Sequence, residues 1–453
     1  MAITTYNPQA KILLQTYQNE EEDLTKYVKD LSVSLSLEPP WEKWQMTLLP
    51  TYNKDRISWY ERISPNDYVS IQFARFFENF GDNMRVITRG LVDAVNTSAS
   101  VDSRGAPNRS YVIYGTGLIS KLLHITKVYY NFWSVMETLF KDWELTVFFN
   151  IPLDGSPQEI MSSLFKIIYG NEGKSQWEHL RSTYKNLPDI KLVSAENIEG
   201  FTNTIAIGQQ VGPIANIMRP FQNYPWNELF TTEMDCEPVM VFRSTPWKDK
   251  DGIYIQDIDT SKTPYKETLG EPIGITRDDI ISYDLNRSDS EVRNLFFTYP
   301  YASIIDTDSW RAIAASKNKD FKENPYKFDS ADQDVGIKRF GYQYQEMSTP
   351  YGEFKNPKDS DEVTSGIKWC QKINRQFALA SYQNVNYENG SFVLRGNEYI
   401  RPGRYIKFGD AEYYVTSVHH SLNFVDRGRF VTQCEVTRGT GFLEARKKRA
   451  LIK

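Results

Sequence analysis

The chain has 453 residues, 40% hydrophobic and 25% charged, with a formal net charge of −5. At roughly 150 residues per domain this length asks for about three cores, and the negative balance excludes a protein whose main work is gripping nucleic-acid phosphates. The 28 Tyr, 25 Phe and 10 Trp make it unusually aromatic, which favours strands.

Cys236, Cys370 and Cys434 are widely separated and lack the spacing of zinc ligands or redox pairs, so they read as reduced core thiols. The opening "MAITTYNPQAKILL" has no basic start followed by an apolar run, and no segment has the roughly 18 continuous apolar residues of a membrane span. The expectation is a chain folded in a cytoplasm, with no stable membrane insertion and no cofactor.

In chain order, Leu31, Val33, Leu35 and Leu37 alternate with Ser32, Ser34 and Ser36, the period of a half-buried strand. Trp44, Met46 and Leu48 repeat the pattern after the "EPPWE" turn, predicting a hairpin. Pro65, Asn66 and Asp67 form a turn into the strand Tyr68 to Phe73. Strands around Met84 to Val95 and Tyr111 to Tyr114 complete a meander. At "GTGLISKLLHI" the period becomes helical, with Leu118, Leu122 and Ile125 on one stripe.

Residues 126–235 read as α-rich. Ser156, Pro157 and Glu159 start a capped helix whose stripe is Ile160, Leu164, Phe165 and Ile168, whereas 196–235 has poor periodicity and reads as loops or docking surface. Strands resume at "PVMVFR", "GIYIQDI", "DIISYDLNRSD" and "LFFTY". A helix from Ser360 to Leu379 follows, carrying Val363, Ile367, Cys370, Ile373 and Phe377, with Asp361 and Glu362 in its first turn. Asn389 and Gly390 predict a hairpin turn, as do Asp426, Arg427 and Gly428.

One phrase occurs twice. "ISPNDYVSI" at 63–71 returns as "IRPGRYIKF" at 400–408, and each is followed by a strand pair running to Gly-Thr-Gly, as "VIYGTGL" and "VTRGTGF". The turn residues of the two copies are Pro65, Gly115 and Gly117, then Pro402, Gly439 and Gly441. The expectation is two related β domains with helical insertions. They divide as 1–125 for the first domain, 126–235 for an α-rich insertion and 236–300 for the start of the second domain. A further insertion takes 301–384, the remainder of the second domain 385–443, and a mobile basic tail 444–453.

Chemical readings are weak throughout. Gly-Thr-Gly lacks the spacing and βαβ context of a phosphate loop. His419 and His420 are adjacent on a strand and point to opposite faces, while His124 and His179 have no companions. Runs such as "EEED" at 20–23 read as solvated faces, and neither a Gly-x-Ser-x-Gly elbow nor a His-Glu-x-x-His pair is present. The chain is not expected to be an enzyme.

The order "LSVSLSLEPPWEKWQMTL", "WYERISPNDYVSIQF", "RVITRGLVDAV", "SYVIYGTGLISKLL" resembles baseplate and tail hub proteins of tailed phages and related contractile injection systems. "TRDDIISYDLNRSDSEVRNLFF" and "RPGRYIKF" with "EYYVTSVHHSL" and "FVTQCEVTRGTG" resemble later segments of such hubs. Gly115 and Gly117 depart from the commoner form of the first helix-entry turn. The resemblance implies an α+β, β-dominated fold with two tail-tube-like β-barrel or sandwich domains and α-rich insertions.

It further implies a homotrimeric, pseudo-sixfold ring of the virion. That ring would join a tail tube or distal ring protein to a central spike, contact surrounding wedge proteins, and pass the tape measure protein and DNA in transit. The expected ring or lumen positions are Tyr68, Gln72, Arg75, Arg85, Arg89, Arg404, Lys407, Arg429 and Gln433. The competing reading is a receptor- or glycan-binding, or glycan-cleaving, tail-tip protein using Trp41, Trp44 and Trp59.

Overall fold

In the computed structural model the described residues are 6–452, apart from 19, 40, 51–56, 77–83, 102–106, 131–155, 170–175, 185, 197, 199–209, 223, 235–236, 250, 301–325, 328–334, 350–359 and 425–428. Cys236 and the turn expected at 426–428 lie outside the described residues.

The first β region contains β1 (Tyr6–Gln15), β2 (Glu21–Asp23), β3 (Val28–Ser36), β4 (Glu42–Leu48), helix α1 (Trp59–Arg62), β5 (Tyr68–Phe76), β6 (Arg85–Val101), β7 (Pro107–Gly117) and helix α2 (Leu118–Ile125). The alternation read from the sequence is the burial pattern. Leu31, Val33 and Leu35 are buried with Trp44, Met46 and Leu48, while Ser34 and Gln45 are exposed. Strand β1 is an addition to the expected meander, and its Ala10, Ile12 and Leu14 close the same core against β5.

The middle of the chain holds β8 (Lys127–Tyr130), α3 (Pro157–Tyr169), α4 (Gln176–Thr183), β9 (Lys191–Ser194), β10 (Gln210–Pro213), α5 (Ile214–Gln222), β11 (Asn227–Met234) and β12 (Glu237–Ser244). Ser156 and Glu159 form the expected cap, with the Ser156 backbone N–H donating to the Glu159 carboxylate at 2.8 Å. The 196–235 segment thus includes a helix and two strands.

Next come α6 (Tyr265–Thr268), β13 (Ile273–Ile275), β14 (Ile280–Asn286), β15 (Leu295–Pro300), β16 (Tyr326–Lys327), α7 (Ile337–Phe340), β17 (Tyr344–Thr349) and α8 (Ser360–Ser381). The chain finishes with β18 (Glu388–Arg395), β19 (Tyr405–Phe408), β20 (Ala411–Asn423), β21 (Arg429–Gly439) and α9 (Gly441–Ile452).

The region expected at 236–300 as one domain start is divided among three sheets. Strand β12 is buried along nearly its whole length and pairs with β9 and β11, while β15 pairs with β16 and β17. Only β13 and β14 join the large sheet. "GIYIQDI" is a turn with one isolated bridge, Lys248 to Tyr254. Asn389 and Gly390 lie inside β18, paired on both sides, and not in a hairpin turn. The basic tail is helical: α9 continues from Gly441, with Lys448 donating to Asp410 at 2.5 Å.

The large sheet runs β14-β18-β21-β20-β3-β4-β7-β6-β5-β1-β2, with β19 and β13 branching from β20. One pairing plan occurs twice in it. In the first region β3 pairs β4, β4 pairs β7, β7 pairs β6 and β6 pairs β5; in the second, β14 pairs β18, β18 pairs β21, β21 pairs β20 and β20 pairs β19, all antiparallel.

The register repeats as well. Tyr68 faces Leu91 as Tyr405 faces Tyr414. The β6·β7 ladder shifts between Val92 and Ala94, and the β20·β21 ladder shifts between Val415 and Ser417. The β3·β4 ladder shifts between Val28 and Asp30, and β14·β18 between Ile280 and Ser282. Bulges fix register and local twist, so their coincidence aligns the copies residue by residue.

That alignment makes Gly115 the counterpart of Val436, because each is paired opposite the first residue of its shift, Val92 or Val415. The two Gly-Thr-Gly runs are therefore offset by three residues. Their likeness is one of place, at the exit of a strand into a helix, and not of register.

Candidate functional site

The copies join where the distal half of β20 lies along β3, from Ser417 opposite Ser36 to Asn423 opposite Asp30. Across this seam the inward residues Val418, His420 and Leu422 meet the line of Leu31, Val33 and Leu35. His420 is fully buried, its Nδ1 is 3.0 Å from Thr432 Oγ1, and its ring packs edge-on to Phe73. Burial lowers the His420 pKa to about 3, so the ring is a neutral core member.

The opposite face of the seam is polar. Asp30, Ser32, Gln45, Thr47, Ser421, Asn423 and Arg429 line a groove of about 440 Å³ running across β3, β4, β20 and β21. Ser34 Oγ and His419 Nδ1 are 2.9 Å apart on this face, and Gln433 lies beside His419 on the next strand. Short hydroxyls and amides dominate, and Lys43, Arg395 and Arg429 are interspersed with Asp30, Asp93 and Glu435. Such a surface attracts neither sign of charge strongly.

Behind the seam β11 supplies two buried carboxylates, one toward each copy. Glu233 pairs with Arg89 of β6. Glu228 accepts from Arg243 Nε at 3.1 Å and from Tyr414 Oη, while Arg243 also donates to Gly403 O at 2.7 Å and lies 2.5 Å from Thr268 Oγ1. Arg401 donates to Ile87 O at 3.0 Å, tying the second copy's turn to the first copy's strand. Burial raises Glu233 to about 7 in spite of Arg89, and it raises Glu42 and Glu228 as well. It lowers Arg401 to about 10.

The positions expected for ring or lumen separate accordingly. Arg429 and Gln433 are exposed on the polar face of β21. Tyr68 is buried, and burial raises its phenol. Arg89 is spent on Glu233, and Arg404 donates to Leu269 O at 3.3 Å within the molecule. Gln72 is paired opposite Lys11 of β1, so it belongs to the branch beyond the seam. Arg75 lies over Phe76 and Arg85 over Tyr399, while Lys407 is exposed on β19.

Of the turn residues, Pro65 is exposed and Pro402 buried, and Gly117 and Gly441 stand at the starts of α2 and α9. Trp41, Trp44 and Trp59 are all buried and offer no stacking platform. The residues that sequence reasoning missed are Arg243, Glu228 and Glu233. Charged residues inside the apolar runs "PVMVFRS" and "NELFTTEM" were the available signal.

A larger open cleft of about 780 Å³ is lined by Glu38, Glu228, Glu291, Arg293, Glu346 and Arg438, with no histidine or cysteine among the described residues of its wall. Among the described residues no three His, Cys, Asp or Glu side chains are grouped to hold a metal ion, and no helix is long and apolar enough to cross a membrane.

No family model matches the sequence, and no curated protein matches it. Among solved structures the chain is similar to the 43 kDa tail protein of prophage MuSo2 from Shewanella oneidensis, at 8% identity over 95% of this chain and 98% of that one, TM-score 0.47. It is also similar to prophage tail protein gp18 from Listeria monocytogenes EGD-e, at 10% identity over 94% of both chains, TM-score 0.44. The E. coli c3393 protein, a component of the type VI secretion system, matches at 7% identity over 90% of this chain and 73% of that one, TM-score 0.40. The chains it is similar to are tail proteins and a secretion-system component.

Proposed function

We propose that this chain is a structural hub protein of a phage-type tail or baseplate. In this reading its copies form a trimeric, pseudo-sixfold ring of the virion that joins the tail tube to a central spike. The observation that carries the reading is the pairing plan that occurs twice in one continuous sheet, with bulges at matching registers. One chain then presents two near-equivalent units side by side. Three chains present six, which suits a sixfold tube or distal ring on one side, while the unlike insertions keep true threefold symmetry for a spike on the other.

The polar face of the sheet fits the channel wall. A lumen of serine, threonine, glutamine and asparagine with both charges interspersed lets the tape measure protein and then DNA pass without binding phosphates tightly. Helix α8 and strand β17 border one end of this face, across the cleft they share with Ser417 and Glu435, and the inserted elements suit contacts with wedge proteins. The work is geometric and needs no catalytic residue.

Negative-stain electron microscopy of the purified chain tests the reading. Class averages are expected to show closed rings with a central hole, threefold symmetry and six density lobes. Compact single copies at every concentration, together with saturable binding on a glycan array, would overturn it in favour of a tail-tip binding protein.

A further inference from the structure

The two ends of the eight-strand path from β14 to β6 differ from the sheet's other margins. Strand β14 pairs with β18 on one side and, among the described residues, with no strand on the other. Four consecutive residues, Ile281 to Asp284, are exposed, with Ile281 at 49% and Tyr283 at 58%. The distal half of β6 is similar. Among the described residues, strand β5 covers β6 between Arg85 and Leu91, while Ala94 to Val101 pairs with β7 alone.

Neither edge carries proline or lysine, and their only charge is Asp284. The margin formed by β2 is, by contrast, three acidic residues long, Glu21 to Asp23, which is how an edge is blunted. These longer edges, with a single charge between them, are left open to pairing.

The repeated plan says what pairs with them. By the matched bulges β6 is the counterpart of β20 and β14 the counterpart of β3. Within the chain the distal half of β20 lies on β3. Among the described residues the same half of β6 and the same edge of β14 have no strand beside them.

We propose that β6 of one copy pairs antiparallel with β14 of a second copy, reproducing between chains the seam that β20 and β3 make within one. Carrying His420 opposite Val33 onto the counterparts places Thr97 opposite Leu285, and His419 opposite Ser34 becomes Asn96 opposite Asn286. Ser98 then faces Asp284 and Ala99 faces Tyr283, covering an exposed ring with a small side chain. Such a contact is heterologous, so it propagates until the rotation closes.

The inference rests on the ring reading but adds to it the two edges and their register. Where Val418, His420 and Leu422 fill the inner seam, the outer one has Val95 and the smaller Thr97 and Ala99. The outer seam is therefore the weaker, and copies separate before the units unfold.

The test is oxidative cross-linking of the full chain carrying Asn96→Cys and Asn286→Cys. These positions are exposed, and the corresponding side chains of Ser34 and His419 are in contact. Positions 96 and 286 lie on strands seven places apart along the sheet of one chain, and an internal disulfide would leave the mass of a single copy, so species of dimer and trimer mass report the link between copies. Covalent species stopping at the trimer are expected for the double variant and not for either single variant, with melting temperatures unchanged.

Hydrogen exchange on the unmodified chain provides the second measurement. Amides of 95–100 and 282–287 are expected to slow several-fold on going from dilute to assembled protein. Rings seen by microscopy without the cross-link or the protection would overturn this seam while leaving the ring reading intact. Absence of rings, cross-link and protection together would overturn both.

Discussion

Trp44 lies flat against Gly115. The two are paired across β4 and β7, and a Cβ on Gly115 would stand 2.0 Å from the indole ring and 2.6 Å from Leu91 O. A Cβ on Gly90, on the next strand, would stand 2.6 Å from the same indole. The glycine of the first Gly-Thr-Gly run is thus a seat for an aromatic ring in the core of the first copy, which explains it without any ligand.

Gly115→Ala is accordingly expected to destabilise the first copy by about 1–3 kcal/mol, the usual cost of overpacking a well-filled core. A second substitution, Trp44→Leu, makes room for the new methyl. The double variant is expected to melt closer to Trp44→Leu alone than the two single effects would predict. Scanning calorimetry of the four proteins checks this; strict additivity would show that the ring and the glycine are not coupled.

Glu233 gives stability a pH dependence of defined sign. Burial raises its carboxyl from the ordinary 4.5 to about 7 in the folded chain. The folded state then holds a proton that the unfolded chain has released, so the contribution is fully present below about pH 4.5 and is lost as pH rises through about 7. Up to ~3 kcal/mol is involved at 1.36 kcal/mol per unit. The melting temperature of the unmodified chain minus that of Glu233→Gln is expected to fall across this window. A difference that stays constant would mean that Arg89 holds Glu233 ionised throughout.

How much of this was legible in the sequence depended on how local the signal was. Leu31, Val33 and Leu35 against Ser32 and Ser34 could be read directly, because a half-buried strand writes both its faces into adjacent residues. Strand β12 was legible as a strand but not as a member of its sheet. Its unbroken burial is the mark of a strand covered on both faces, which separates it from the alternating strands of the large sheet.

Arg89 and Arg404 were expected at the surface because an arginine in a strand pattern ordinarily is. The carboxylate that draws Arg89 inward is 144 residues away. The seam of Asn423 on Asp30 is longer-range still, and no local pattern encodes it. The repeated Ile-x-Pro phrase leads into Tyr68 and Tyr405, which hold the same place in the repeated pairing plan, whereas the Gly-Thr-Gly runs marked equivalent ends without equivalent register.

Lys448 and Asp410 provide a contrast in what ion pairs do. Both side chains are more than 60% exposed, and the pair joins α9 to the turn between β19 and β20 in solvent. Lys448→Ala is expected to leave the melting temperature unchanged within error at physiological salt, since water screens such pairs. A clear drop would show that α9 is anchored through this contact, and circular dichroism of the variant would then show lost helix.

Arg243 is the opposite case. Its side chain is fully buried, Glu228 is 5% exposed, and the guanidinium reaches β11, α6, β20 and the turn at Gly403. Removing one partner leaves the other charge buried without compensation, which costs about 3–5 kcal/mol, whereas removing both can be nearly neutral. Arg243→Met is therefore expected to destabilise strongly, and Arg243→Met with Glu228→Gln to recover most of the loss. Denaturant melts of the singles and the double measure the coupling. Because Arg243 binds the small sheet to the second copy and not to the seam edges, the double variant should still cross-link between positions 96 and 286. If it recovers stability but no longer assembles, the cluster positions β14 for its partner as well as holding the fold.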